Sequence, residues 1–171
     1  TTVVSPAKLI VSSPDANADC VDGDGSCSVF TFAGSEFNLD VTAACNDVDS
    51  TVTKNFEMNN IPLTITTIAP DVGNPVSLGV TSIDVVAADN GSHNVSNQTV
   101  SEVGVFTITA TPLVDGYFGE TIPAATSANI GRFIPEYFEQ TVVADGSLDA
   151  VCNQNTPFAY IGQTLVGDAT T

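Results

Sequence analysis

The residues best equipped for chemistry cluster in one stretch, Asp15-Ala-Asn17-Ala-Asp19-Cys20-Val-Asp22-Gly23-Asp24-Gly25-Ser26-Cys27. Asp15, Asn17, Asp19, Asp22 and Asp24 place side-chain oxygens at alternate or near-alternate positions. Such a run suits Ca²⁺, a hard cation that takes 6–8 oxygen ligands. Asp15-x-Asn17-x-Asp19 copies the opening of an EF-hand loop, but Cys20 stands where that loop requires Gly, and no Glu occupies the twelfth place. The stretch is therefore either a Ca²⁺ site of another kind, completed by a backbone carbonyl, or a solvated acidic turn closed by a disulfide.

Four cysteines, Cys20, Cys27, Cys45 and Cys152, allow three pairings. Cys20–Cys27, closing the acidic loop, is the first choice. Cys45 then either pairs with Cys152 or both stay free. Alternatively Cys45 pairs with Cys20 or Cys27, and Cys152 seeks another partner. A zinc site is not expected, because no Cys-x-x-Cys is present and His93 is the only histidine. His93 sits in the turn-like Asn90-Gly91-Ser92-His93-Asn94, and a catalytic triad would need a Ser and an acid to converge there. Gly-x-Ser-x-Gly is absent, and there is no Trp to serve as a sugar platform. No catalytic residue is assigned, and the chain is not expected to be an enzyme.

The elements that carry these residues are strands. The chain has 171 residues, 20 acids against 3 bases, and a net charge of −17. Its 53 β-branched residues far outnumber the 17 Leu, Met, Lys, Arg and Glu together, so strand formers dominate. That excludes a helical bundle. The acidity argues against a nucleic-acid partner, which needs a basic face, and against anionic membrane surfaces. No apolar run approaches the roughly 20 residues of a spanning helix, so membrane insertion is not expected. Scarce Lys, abundant Thr, Ser, Asn and Asp, and a disulfide-forming Cys pair point to a piece of a longer secreted chain.

Alternation predicts a strand at Phe30–Phe32 and another at Phe37–Ala43, joined as a hairpin through Ala33-Gly34-Ser35. Further strands are expected at Thr51–Phe56, Leu63–Ile68, Val76–Val80, Ile83–Val86, Val95–Val100 and Val105–Ala110, the last two paired with each other. Phe30, Phe32, Leu39, Val41, Ile65, Phe106 and Ile108 form the expected core. Short strands separated by Gly, Pro, Asn and Asp describe an all-β, immunoglobulin-like antiparallel β-sandwich.

An internal echo refines the organisation. Phe30, Phe32, Gly34 and Phe37 recur as Phe158, Tyr160, Gly162 and Leu165, at an offset of 128. The expected domains are 1–129, a complete β-sandwich repeat, and 130–171, the opening strands of a second repeat or a strand-addition segment.

Ser101-Glu102-Val103-Gly104, Gly116-Tyr117-Phe118-Gly119 and Ile130-Gly131-Arg132-Phe133-Ile134-Pro135-Glu136-Tyr137-Phe138 form a pattern similar to one in MshQ-like proteins. Those proteins belong to the mannose-sensitive haemagglutinin type IV pilus system, and the likeness is to their C-terminal region of unknown function. Ala44-Cys45-Asn46 and Thr53-Lys54-Asn55-Phe56 resemble a second element of that region. The acidic Cys20–Cys27 loop does not fit the pattern. The resemblance implies surface display in a pilus or adhesin setting and supplies no catalytic residues.

The function expected is thus that of a structural or adhesive repeat of a secreted bacterial surface, pilus-associated or fibre protein at the extracellular face. Its partners would be neighbouring copies or domains of the same protein, joined by strand addition. The alternative is a Ca²⁺-dependent carbohydrate- or ligand-binding module of an adhesin, with Ca²⁺ as cofactor and a glycan as partner.

Overall fold

The longest alternating runs become strands in the computed structural model, which describes residues 5–45, 51–71 and 73–139. The chain divides into two units, Thr1–Glu136 and Tyr137–Thr171. Nine strands are found among the described residues, all in the first unit. In order they are β1 (Lys8–Ser12), β2 (Thr31–Phe32), β3 (Phe37–Ala44), β4 (Met58–Ala69), β5 (Ser82–Val85), β6 (Ser92–Gln98), β7 (Gly104–Ala110), β8 (Ala125–Thr126) and β9 (Ile130–Ile134). One 3₁₀ turn, Ala87–Asp89, precedes β6 and ends on Asn90 in the left-handed region at φ 51°. The fold is all-β and sandwich-like. One sheet has the order β1-β3-β6; the other has the order β2-β9-β7-β4-β5, with β8 paired to β7. All pairings are antiparallel except that of β2 with β9.

The alternation that marks β3 is the alternation that fills the core. Phe37, Leu39, Val41 and Ala43 are buried, while Asn38, Asp40 and Thr42 between them are half-buried on the other face. From the opposite sheet come Leu63, Phe106, Ile108, Ile130 and Phe133. At one end four rings, Phe30, Phe37, Phe106 and Phe133, lie with centroids 5.3 to 5.7 Å apart, three of the contacts edge-to-face. Of the expected core, Leu39, Val41, Phe106 and Ile108 are buried, and Phe30 and Ile65 are half-buried against it. Phe32 is 40% exposed, because β2 continues only two residues and turns its second side chain outward.

Two expected hairpins are corrected. β2 and β3 do not pair: Gly34, at φ +82°, turns the chain from one sheet to the other. Likewise β6 pairs with β3 while β7 pairs with β4, so residues 99–103 cross between layers. Local alternation identifies a strand but not its neighbour, which the burial of both apolar faces selects. Thr51–Phe56 contributes only a bridge at Val52, to Ala44. Val76–Val80 is not a strand either. Its place is fixed by the buried Gln98, whose Oε1 accepts from the Val80 N–H at 2.9 Å and whose Nε2 donates to the Val80 carbonyl at 2.9 Å. Leu78 adds an antiparallel bridge to Val100, with the Gly79 N–H donating to the Thr99 carbonyl at 3.0 Å and the Ser101 N–H to the Ser77 carbonyl at 3.1 Å, and the buried amide satisfies two main-chain groups beside it.

β9 is built into the six-stranded sheet beside β7, with Gly104↔Phe133 and Phe106↔Ile130 in register. The boundary expected after residue 129 therefore meets a strand whose apolar residues, Ile130 and Phe133, belong to the core of the first unit. Residues 140–171, with Cys152 and the second half of the echo, lie outside the described residues.

Candidate functional site

The acidic loop is mounted on the edge of the six-stranded sheet. Residues 18–20 run antiparallel to residues 129–131: the Cys20 N–H donates to the Asn129 carbonyl at 2.9 Å and the Gly131 N–H to the Ala18 carbonyl at 3.0 Å. The chain then leaves the sheet and returns at Phe30, whose N–H donates to the Arg132 carbonyl at 3.0 Å. Cys20 and Cys27 close the excursion as a disulfide, with their Cα atoms 5.4 Å apart. Gly23 is needed inside it. Its φ is +68°, and a Cβ there would meet Asn129 Nδ2 at 2.9 Å and Ile68 Cγ2 at 3.3 Å.

The five candidate ligand residues each take a part in holding the stretch. Asp15 accepts from the Asn38 N–H and from Asn38 Nδ2, both at 2.8 Å, which anchors the start of the stretch to β3. Asn17 turns the chain at φ 63°. Asp19 bridges to Ile130 in the sheet. Asp22 and Asp24 face Ser26: the Ser26 N–H donates to Asp24 Oδ1 at 2.7 Å. Bonding by the Ser26 side chain and backbone holds the exposed Asp24 carboxyl below the usual carboxylate range. No group of three His, Cys, Asp or Glu residues in a metal-holding arrangement occurs among the described residues. Cys45 is exposed with a free thiol; the Cys20–Cys27 disulfide overturns its pairing with either of those cysteines, and Cys152, the other partner considered for it, lies outside the described residues.

Beside the loop runs an apolar groove of about 340 Å³, bordered by Gly25, Pro70, Val103, Val105, Arg132 and Pro135. Arg132 follows the strand alternation away from its buried neighbour Phe133 and reaches back to the loop, donating from Nη1 to the Gly25 carbonyl at 2.9 Å. Its buried Nε has no hydrogen-bond partner among the described residues. Sequence reasoning misses Arg132 as a member of the site. The one signal that could have found it is that it is the sole arginine of a chain carrying 20 acids.

With the disulfide and Arg132 both holding the loop, the paired change Cys20→Ser and Cys27→Ser is expected to cost about 2–3 kcal/mol, the closure entropy of so short a loop. Denaturant midpoints of the oxidised chain and the double variant measure it. Equal midpoints would mean that the sheet contacts and Arg132 suffice alone.

His93 has an acid partner after all: its Nδ1 lies 3.0 Å from Asp89 Oδ2. Among the described residues no hydroxyl is bonded to its other ring nitrogen. The role of the pair is to close a turn. The Val86 N–H donates to Asp89 Oδ2 at 2.8 Å, and this bond, with His93 adding to it, holds the Asp89 carboxyl below the ordinary value. A depressed folded-state value stabilises above the unfolded value, near pH 4, and that contribution is lost as pH falls through the folded value. Asp89→Asn should therefore show a smaller drop in thermal midpoint than the parent below about pH 4. Parallel curves from neutral pH to pH 2 would remove Asp89 from the acid response.

With the strands and loop in place, the family can be assigned. The second domain of DUF6701 matches residues 5–100, and the third domain matches residues 102–170. The chain belongs to the DUF6701 family. The two DUF6701 regions meet between β6 and β7, inside the sandwich: Phe37 of the first packs on Phe133 of the second. Neither a curated protein nor a solved structure matches this DUF6701 chain.

Proposed function

We propose that the chain is a structural or adhesive repeat of a secreted bacterial surface, pilus-associated or fibre protein, joined to neighbouring copies or domains. The observation that supports this most is the interlock. Two consecutive DUF6701 regions share one core, through strands β3 and β6 from the first and β7 and β9 from the second. An array built so passes load from one region to the next through buried side chains rather than through a linker. The Cys20–Cys27 disulfide suits an oxidising, extracellular setting, and no helix among the described residues is long and apolar enough to cross a membrane. The likeness of Gly131-Arg132-Phe133 and its surroundings to MshQ-like sequences adds the pilus setting.

The reading is tested on intact cells. An antibody to the chain should label unpermeabilised bacteria that carry it and their surface fibres; labelling only after lysis would overturn the reading. A glycan array with and without chelator separates the spacer from the Ca²⁺-dependent binder. The spacer binds nothing in either condition, whereas binding lost on chelation would assign the Asp15–Asp24 stretch to a lectin.

A further inference from the structure

Among the described residues, one strand edge in the sandwich is open and uncharged. β4 changes partner part-way: Met58, Ile61 and Pro62 pair with β5, while Leu63 to Ala69 pair with β7 on the opposite side. The phase of its main chain follows from two hydrogen bonds. Thr111 N–H donates to the Pro62 carbonyl at 2.9 Å on the β7 side, and Leu63 N–H donates to the Thr81 carbonyl at 2.8 Å on the β5 side. Main-chain groups alternate sides along an antiparallel strand. Ile65 and Thr67 therefore turn their N–H and C=O groups to the β5 side, beyond the point where β5 ends. Among the described residues nothing pairs with them there.

Strand edges are commonly blunted by charge, by an interrupting proline or by a covering loop. β1 carries Lys8, β5 carries Asp84 and β6 carries His93. β4 carries no charge from Met58 to Ala69, and Pro62 within it and Pro70 just after it bracket the open stretch instead of breaking it. Thr64, Thr66, Thr67 and Ile68 are exposed along it. In a chain of net charge −17, copies repel one another wherever carboxylates meet. A neutral, β-branched edge is where two copies can approach.

We propose that this edge of β4 pairs with the same edge of a second copy of the chain, making one continuous sheet across a two-fold axis. The register is set by which groups face outward. With the axis at Thr66, Ile65 of one copy lies opposite Thr67 of the other, and the reverse. Both are outward-facing residues, so each pair exchanges both main-chain hydrogen bonds, as an antiparallel ladder requires. Thr66 meets its own mate across the axis, and Thr64 meets Ile68, giving β-branched cross-strand pairs throughout. Such a contact is self-complementary and closed, as a two-fold interface must be.

The proposal rests on the reading of the chain as a unit that assembles with its copies, and names the surface that does so. Sedimentation equilibrium of the full chain is expected to give the mass of two chains at high concentration, more readily as salt screens the acidic surface. Thr67→Pro removes an outward N–H that the β7 ladder does not use, a substitution an edge strand tolerates. It should halve the mass while leaving the thermal transition in place. Thr66→Lys puts a charge on the axis, keeps every main-chain donor, and should do the same; it decides the matter if the proline variant does not fold. A single-chain mass for the parent at every concentration and salt, or a two-chain mass that persists in the folded variants, would overturn the proposal. That failure would leave the surface reading standing on cell labelling, since sedimentation reports association alone.

Discussion

A chain ending after Ser101 is expected to show no cooperative unfolding transition, whereas one ending after Glu136 keeps it. The shorter chain contains the whole match to the second DUF6701 domain, residues 5–100, and as a domain it should fold alone. The geometry says otherwise. Truncation removes β7, which lies between β4 and β9 in the six-stranded sheet, and with it the partner of Leu63 to Ala69. Val105, Phe106, Ile108, Ala110, Ile122, Ile130 and Phe133 leave the core together. At about 1.5–3 kcal/mol for each large side chain buried, the loss is on the order of 10 kcal/mol. That matches the whole stability of a typical domain, about 5–15 kcal/mol. Circular dichroism through a urea titration measures the outcome for both chains. A fragment 1–101 with the same midpoint as 1–136 would show that the first region has a sufficient core of its own.

The distinction between strands and neighbours explains which parts of the fold are legible in the sequence. β3, β4 and β7 are legible because each alternates, with one phase apolar. Leu39, Val41, Phe106 and Ile108 can be placed in the core from that phase alone. Their partners are not legible. A hairpin is the default for two strands close in sequence, but Gly34 and residues 99–103 carry the chain to the opposite sheet, and nothing local announces it. β2 falls inside the strand expected at Phe30–Phe32, whereas β8 escapes notice because two residues show no period and its pairing depends on β7 being already in place. β9 lies in the segment expected to open a second repeat, and its place beside β7 is what the sequence leaves unmarked. The Cys20–Cys27 closure is legible from spacing. The loop's other supports, Asp15 on Asn38 and Arg132 on Gly25, join residues 23 and 107 positions apart. A contact of that separation leaves no mark in local sequence.

Phe133→Ala is expected to be the most damaging single substitution in the second DUF6701 region, costing about 3–5 kcal/mol. Phe133 is 1% exposed and touches three rings, Phe30, Phe37 and Phe106, each contributed by a different segment of the fold. Edge-to-face pairs add to burial, and the cavity left between two sheets cannot collapse without moving β2 and β9 together. The midpoint of thermal unfolding should fall by more than about 10 °C for a unit of this size. Val114→Ala is the control. Val114 is 79% exposed, and its loss should stay within about 0.5 kcal/mol. The comparison also tests how tightly the regions are joined, because Phe30 and Phe37 belong to the first and Phe133 to the second. If Phe133→Ala lowered the stability of residues 102–136 alone, hydrogen exchange would show faster opening there and unchanged protection in β3. Sharing one core requires both to open faster by the same factor, since β3 then exchanges only through the unfolding that the substitution has made easier.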